Sequence, residues 1–163
     1  MNMRKRLVVV GALMCVLALV AGVVFVSGAG AAGARRVATL TGANEVPPAD
    51  DNGAGRASVR LNVRERRVCF DLSWRRIVSP TRAHIHEGRR GVNGDIVVTL
   101  FENSTAPDTF LPLPNQIRRV QGCTRGVSRP LLRDIREHPR QFYVNIHNED
   151  FPGGAIRGQL RRP

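Results

Sequence analysis

Apolar and polar residues alternate along most of the chain after residue 35, a pattern typical of half-buried β-strands. The alternation is clearest over residues 57–63 and 68–74, and the short segment between them, 64–66, predicts a hairpin turn. Shorter runs predict further strands, over residues 37–40, 81–86, 95–101, 141–147 and 155–160. Residues 103–115, which contain three prolines, are expected to form an irregular connection.

One segment has helical features instead. Ser128 can cap a helix, Pro130 suits its first turn and Pro139 ends it, while one face of the segment is apolar. Seven or eight short strands with a single helix predict an all-β fold, namely an antiparallel Greek-key sandwich or barrel.

The N-terminal segment, residues 1–34, has the features of an export signal. Three basic residues, Arg4, Lys5 and Arg6, precede a nearly unbroken apolar run over residues 7–26. Small residues follow at 29–34 and would suit a signal peptidase, but a run of about 20 apolar residues is also long enough for an uncleaved signal anchor. Both alternatives place residues 35–163 outside the cytoplasm, as a single domain that is secreted or anchored to the membrane.

Charge narrows the choice of partners. The chain has 25 basic and 13 acidic residues, with a formal net charge of +12 at pH 7, and only Arg4, Lys5 and Arg6 of the basic ones precede residue 35. Residues 35–163 therefore carry a charge of +9, entirely from arginine. These arginines are scattered, and the chain has one Trp and one Tyr, which does not favour a nucleic-acid partner. We expect a solvated basic surface that meets an anionic envelope polymer or an extracellular protein.

Two cysteines lie beyond the N-terminal segment, Cys69 and Cys123. An even number of cysteines in an exported domain predicts a disulfide between them.

Three histidines in two predicted strands are the leading candidates for a functional site. Alternation places His84 and His86 on one face of the first strand, opposite Ile85, and places Asn145 and His147 together on one face of the second strand. If these strands are neighbours, His84, His86 and His147 converge as ligands for copper or zinc, with Asn145 beside them. The alternative is a structural cluster in which each ring bonds to backbone carbonyls and to Asn145.

Two other polar residues are candidates for a supporting role. Glu45 lies in the turn-rich loop 42–48, from which it could reach the histidines as a metal ligand or as a hydrogen-bond acceptor for a histidine ring. Its simpler interpretation is a turn residue that bonds to backbone amides. Arg157 in the last strand is expected to pair with an acid such as Asp71 or to form part of a binding surface. The sequence has no nucleophile elbow, phosphate loop or dinucleotide fingerprint, so an enzyme is not favoured and no catalytic residue is assigned.

Four motifs occur in order along the chain, and together they resemble the successive signatures of the CHRD domain, which is named for its occurrence in chordin and is also found in secreted microbial proteins. The motifs are GANEVPP at 42–48, AHIHEG with GVNG at 83–94, YVNIH at 143–147 and GGAIRGQL at 153–160. The resemblance covers about residues 37–160 and implies an extracellular β-sandwich, immunoglobulin-like in fold, without an assigned catalytic activity. Ala155 stands where an acidic residue is frequent in the family.

A second resemblance is local. His84 and His86 followed by Glu87 and a glycine-rich loop are similar to the copper-binding strand of copper/zinc superoxide dismutases, with His147 as a later ligand. No histidine lies between Glu87 and Phe101, so the bridging ligand and the zinc loop of those enzymes are missing.

The sequence thus supports three functional hypotheses. The first is an exported, non-enzymatic CHRD domain that acts as an extracellular or cell-envelope binding module with an unknown ligand. The alternative is a copper- or zinc-binding protein with a three-histidine site, which would allow redox activity. A purely structural envelope domain is the third, simplest possibility.

Overall fold

The computed structural model describes residues 33–106 and 109–163, so the predicted export segment lies almost entirely outside the described residues. Strands make up half of the described residues. The strands are β1 (Ala34–Thr41), β2 (Ala54–Asn62), β3 (Arg67–Arg75), β4 (Pro80–Glu87), β5 (Ile96–Glu102), β6 (Ser104–Ala106), β7 (Thr109–Phe110), β8 (Arg119–Arg125), β9 (Phe142–Asn148) and β10 (Ile156–Gln159). Seven of them, namely β1 to β5, β9 and β10, lie close to the predicted positions. The helix α1 spans Arg129–Glu137.

Eight of the strands form one antiparallel sheet in the order β5-β4-β9-β10-β1-β2-β3-β8. The sheet curls until its two edges approach each other, where the Thr124 hydroxyl of β8 donates a hydrogen bond of 2.6 Å to the Thr99 carbonyl of β5. The predicted all-β antiparallel fold with one short helix is therefore confirmed, as an almost closed barrel.

Alternation explains why these strands form a barrel, since every second side chain enters a common core. Leu40, Val59, Leu72, Ile85 and Val144 are completely buried inside it. The helix adds two fully buried side chains to the same core, Leu132 and Ile135. As predicted, Ser128 caps the helix by accepting a hydrogen bond from the Leu131 amide.

Strand β8 is the element that the alternation pattern misses. Its inward positions are Val120, Gly122 and Thr124, of which only the first is strongly apolar. Gly122 is required because a Cβ atom there would lie 2.8 Å from the Phe70 ring. The expected irregular connection also contains a short hairpin, formed by β6 and β7.

The predicted disulfide is present. Cys69 of β3 and Cys123 of β8 are direct cross-strand partners, and their sulfurs are bonded. The link joins the edge strand β8 to its only neighbour in the sheet.

Within residues 33–106 and 109–163, no helix combines the length and the hydropathy that crossing a bilayer requires.

Candidate functional site

The polar face that the histidines share lies on the outside of the barrel, on strands β4, β9 and β10. Because β4 pairs with β9, and β9 with β10, the alternate residues of all three strands point the same way. The side chains on this face are Arg82, His84, His86, Tyr143, Asn145, His147, Arg157 and Gln159. Although they face away from the core, loops 42–48, 88–95 and 149–155 cover them, so the three histidines expose only 1%, 8% and 4% of their surface.

The structure brings His84, His86 and His147 together. One ring nitrogen from each lies within 4.8 Å of the others. The closest approach joins His84 Nδ1 to His147 Nε2, at 3.1 Å. Two strands that are far apart in sequence thus supply one cluster, because β4 and β9 are neighbours in the sheet.

The second nitrogen of each ring has its own hydrogen-bond acceptor. His86 Nδ1 lies 2.9 Å from the Gly94 carbonyl oxygen, and His147 Nδ1 lies 3.0 Å from that of Pro152. His84 Nε2 lies 3.0 Å from Glu102 Oε1. The carbonyl oxygens of Gly94 and Pro152 can only accept, so His86 Nδ1 and His147 Nδ1 donate to them, and the Glu102 carboxyl group is an acceptor for His84 Nε2 in the same way.

These acceptors favour one tautomer of each neutral ring. Protons on His86 Nδ1, His147 Nδ1 and His84 Nε2 leave the opposite nitrogens unprotonated. These are His84 Nδ1, His86 Nε2 and His147 Nε2, of which the first and the last face each other. His86 Nε2 is buried and has no hydrogen-bond partner among the described residues.

Burial keeps these rings neutral. It is the main cause that lowers the pKa of all three below the usual 6.5, and the pKa of His147 falls to about 3, with nearby His84 contributing. The Glu102 carboxylate works in the opposite direction on His84. Neutral imidazole is the protonation state in which histidine binds metals.

Arg157 fastens two of the covering loops to the barrel. Its Nε donates to the Asn44 carbonyl at 2.6 Å, and its Nη1 donates to Asn93 Oδ1 at 2.8 Å. Its guanidinium also lies over the Tyr143 ring, 4.6 Å from the centroid, and the same ring stacks on His86 at 4.8 Å.

The four sequence motifs therefore meet at one place, since each contributes a residue to this cluster: Asn44, His86, Tyr143 and Arg157 come one from each motif. A family model described as the CHRD domain matches residues 36–160. The chain belongs to the CHRD domain family. Comparison with curated proteins and with solved structures gave no match.

In this CHRD domain, Glu45 and Asn145 lie beside each other, next to the histidines. Asn145 Nδ2 donates to Glu45 Oε2 at 3.4 Å, and the same oxygen is 3.8 Å from Arg157 Nε. No hydrogen bond joins Glu45 or Asn145 to a histidine among the described residues. The polar contacts of the predicted supporting residues are thus with each other and with Arg157, although Asn145 is the cross-strand partner of His84.

Arg157 pairs with an acid, as expected, but the acid is Glu45 and not Asp71. Asp71 lies on the outside of β3 and pairs with Arg119 of β8, whose Nε donates to Asp71 Oδ1 at 2.7 Å. Arg157 faces Asn145 of β9, where the only nearby acid is Glu45.

Burial raises the pKa of the Glu45 carboxyl to about 7, against the opposing effect of Arg157. Glu45 Oε1 and Asn145 Oδ1 are buried without a hydrogen-bond partner among the described residues. Both atoms lie against Gly154, where a Cβ would be within 2.8 Å of each. The loop carrying Gly154 can therefore close over the site only because that residue lacks a side chain.

Sequence reasoning missed the residue that orients His84. Glu102 ends β5, and its partner across β4 is Arg82, so the alternation of β4 alone does not place it beside His84. An irregularity in the β4–β5 register, between Ala83 and His84, changes the pairing at this point. A bulge of this kind leaves no clear signal in a single sequence.

Proposed function

We propose that this CHRD domain binds one copper or zinc ion through His84 Nδ1, His86 Nε2 and His147 Nε2. The observation that carries the proposal is the position of the oxygen acceptor beside one nitrogen of each ring, from which the tautomers are inferred. All three unprotonated nitrogens converge, while the other nitrogen of each ring donates to a fixed oxygen. Histidines that bind metals have this arrangement, because a hydrogen bond on the far nitrogen orients the ring and increases its basicity.

The distances fit such an ion after a small movement. Zn–N bonds of about 2.0–2.1 Å at tetrahedral angles separate two ligand nitrogens by roughly 3.3–3.4 Å. His84 Nδ1 and His147 Nε2 are already 3.1 Å apart, and all three nitrogens lie within 4.8 Å. Closing the site requires His86 Nε2 to approach the other two by about 1–1.5 Å, which a side-chain adjustment can supply.

A purely structural cluster explains the hydrogen bonds less well. If His84 Nε2 donates to Glu102, the lone pairs of His84 Nδ1 and His147 Nε2 face each other at 3.1 Å. If His84 Nδ1 carries the proton instead, the lone pair of Nε2 faces the Glu102 carboxylate. An ion between the rings removes the conflict and also gives His86 Nε2 a partner.

The ligand type restricts the metal. Three imidazoles suit zinc and copper, whereas calcium and magnesium require oxygen ligands. We propose binding rather than catalysis because none of the three histidines exposes more than 8% of its surface, which leaves a substrate little access. Copper would add one-electron redox chemistry, whereas zinc would not.

We also propose that the domain works outside the cytoplasm. The bond between Cys69 and Cys123 supports this location, because disulfides persist in oxidising compartments. The basic and apolar residues at 4–26 supply the corresponding export signal. In cell fractions analysed by mass spectrometry, the native protein should be found outside the cytoplasm. A full-length, soluble product in the cytoplasmic fraction would contradict this location.

Calorimetric titration of the purified, tag-free protein with Zn²⁺ and Cu²⁺ tests the binding proposal. We expect one ion per chain, and at least a tenfold loss of affinity in His86→Ala. His138→Ala is the matched control, because His138 is an exposed histidine that pairs with Asp134 at the end of α1. Equal affinity for the native protein and His86→Ala would contradict the proposed site.

A further inference from the structure

A second candidate surface lies on strands β1, β2, β3 and β8. These four strands form one half of the sheet, whereas the histidines lie on strands of the other half. The register of these four strands places their outward side chains on one continuous face. Seven of the outward residues are arginines, which we call the arginine wall: Arg35, Arg56, Arg60, Arg67, Arg75, Arg119 and Arg125.

Few acids balance this wall. Asp71 is the only acid within its four strands, and it is engaged by Arg119, while Glu65 in the neighbouring turn pairs with Arg67 at 2.6 Å. Among the described residues, Arg56, Arg60, Arg75 and Arg125 have no ion-pair or hydrogen-bond partner for their side chains. Most of the wall's positive charge is therefore available to a ligand.

Two pairs of arginines lie directly opposite each other on neighbouring strands. Arg35 of β1 faces Arg60 of β2, and Arg67 of β3 faces Arg125 of β8. Like charges in directly opposite positions destabilise a sheet. An anion that lies across these pairs would relieve the repulsion, so the cost points to a ligand that carries closely spaced negative charges.

The wall also has a groove of suitable shape. A shallow groove of about 370 Å³ follows the surface of β1, β2 and β3 and is lined by Arg35, Arg56 and Arg119 together with Asp71 and Arg161. Its lining residues come from four neighbouring strands, since Arg119 lies on β8, so a ligand in the groove would contact several strands of the wall at once.

We propose that the arginine wall binds a linear polyanion that carries closely spaced phosphate or sulfate groups but no bases. The guanidinium fork matches the oxygens of either group. The wall has no exposed aromatic ring on which a base could stack, and none of the exposed large apolar residues lies on it, which disfavours single-stranded nucleic acid and membrane insertion. This binding is independent of the proposed metal site, since no residue is shared.

Long-chain inorganic polyphosphate and dextran sulfate are the probes, titrated into the purified protein over a range of salt concentrations. The test variant is Arg56→Gln/Arg60→Gln/Arg125→Gln. Its matched control, Arg89→Gln/Arg90→Gln/Arg133→Gln, removes the same charge from exposed positions outside the wall. We expect the wall variant to lose at least tenfold in affinity, whereas the affinity of the control should change less than twofold. In the wall variant, the slope of log affinity against log salt concentration should also become shallower by roughly two to three.

A second variant, Arg56→Lys/Arg60→Lys/Arg125→Lys, keeps the charge but not the guanidinium fork, so its affinity should lie between those of the native protein and the glutamine variant, which a misfolded wall would not give. The preferred probe distinguishes a phosphate polymer from a sulfate polymer. Equal losses in the wall variant and its control would overturn the proposal, because binding would then depend on net charge alone. Tighter binding of oligo-dT, or of vesicles with anionic lipid, would overturn it as well.

Discussion

His84 Nδ1 lies 3.1 Å from His147 Nε2, although 63 positions separate the two residues in the chain. Strand register pairs His84 with Asn145 and pairs His147 with Arg82, so the two histidines are diagonal neighbours on β4 and β9. Diagonal positions are within reach of long or aromatic side chains. Both rings also have a hydrogen-bond acceptor on their far side, so the facing nitrogens are the ones available to the proposed ion.

Replacing the residue behind His84 should weaken metal binding without unfolding the domain. In Glu102→Gln, the amide nitrogen can donate to His84 Nε2, which moves the ring proton to Nδ1 and removes the ligand lone pair. We expect a loss of metal affinity of about 10–100-fold, as for other residues behind metal-binding histidines. The melting temperature of the metal-free protein should change little, because Glu102 is 36% exposed.

Glu149→Gln is the control for this experiment, since it neutralises an exposed glutamate in the loop after β9. Zinc titrations of the two variants should differ by at least tenfold. If Glu102→Gln binds zinc as tightly as Glu149→Gln, Glu102 does not orient His84.

The metal-free domain should lose stability as the solution becomes acidic. Burial lowers the folded-state pKa of His84, His86 and His147, and that of His147 falls to about 3. The histidines contribute their full stabilisation above the unfolded-state pKa of about 6.5, and this stabilisation is lost as the pH falls through their folded-state pKa values. The loss is about 1.4 kcal/mol per pH unit for each ring that stays neutral in the folded state. Glu45, whose pKa is raised to about 7, opposes this trend between its unfolded value and 7, but it is one group against three.

Urea unfolding of the metal-free protein between pH 7.5 and 4.5 measures this dependence. The free energy of unfolding should decrease steadily below pH 6.5, and His147→Gln should show a shallower decrease. A free energy that stays level or rises over this range would show that the folded state accommodates charged histidines.

Two adjacent glycines allow a test of how the 149–155 loop closes over the site. A Cβ at Gly154 would lie 2.5 Å from Asn145 Nδ2 and 2.8 Å from Glu45 Oε1, and the residue has a φ of 141°. Gly154→Ala should therefore destabilise the domain by about 1–3 kcal/mol and weaken metal binding. At Gly153 a Cβ meets nothing within 4 Å, so Gly153→Ala should change stability by less than about 0.5 kcal/mol. Thermal unfolding of Gly154→Ala and Gly153→Ala tests this prediction. Equal melting temperatures for the two variants would contradict it.

Removing the disulfide should destabilise the barrel at its edge. Cys69 and Cys123 are 54 positions apart, and a loop of that length is worth roughly 4 kcal/mol on the chain-entropy account. Urea unfolding should show a loss of this order in the double Cys→Ala variant. A reductant should destabilise the native protein to a similar extent and leave the variant unchanged; a native protein insensitive to reductant would argue against a stabilising bond.

Side-chain alternation was sufficient to predict which face of each strand carries the histidines, because the period of two is a local property. It could not predict the partners of that face. The pairing of Asp71 with Arg119 and the placement of Glu102 depend on strand order and register, which long-range contacts determine. Strand β8 was missed for a related reason. Its central inward position is Gly122, which breaks the apolar alternation, and the Phe70 ring of the neighbouring strand occupies the space that a side chain would take.

X-ray absorption spectroscopy of the purified protein loaded with one equivalent of zinc tests the three-histidine centre most directly. We expect the zinc to be coordinated by three imidazole nitrogens at about 2.0–2.1 Å and by no sulfur, and one of these imidazoles to be lost in His86→Ala. A shell made only of oxygen, or one with fewer than three imidazoles in the native protein, would contradict it.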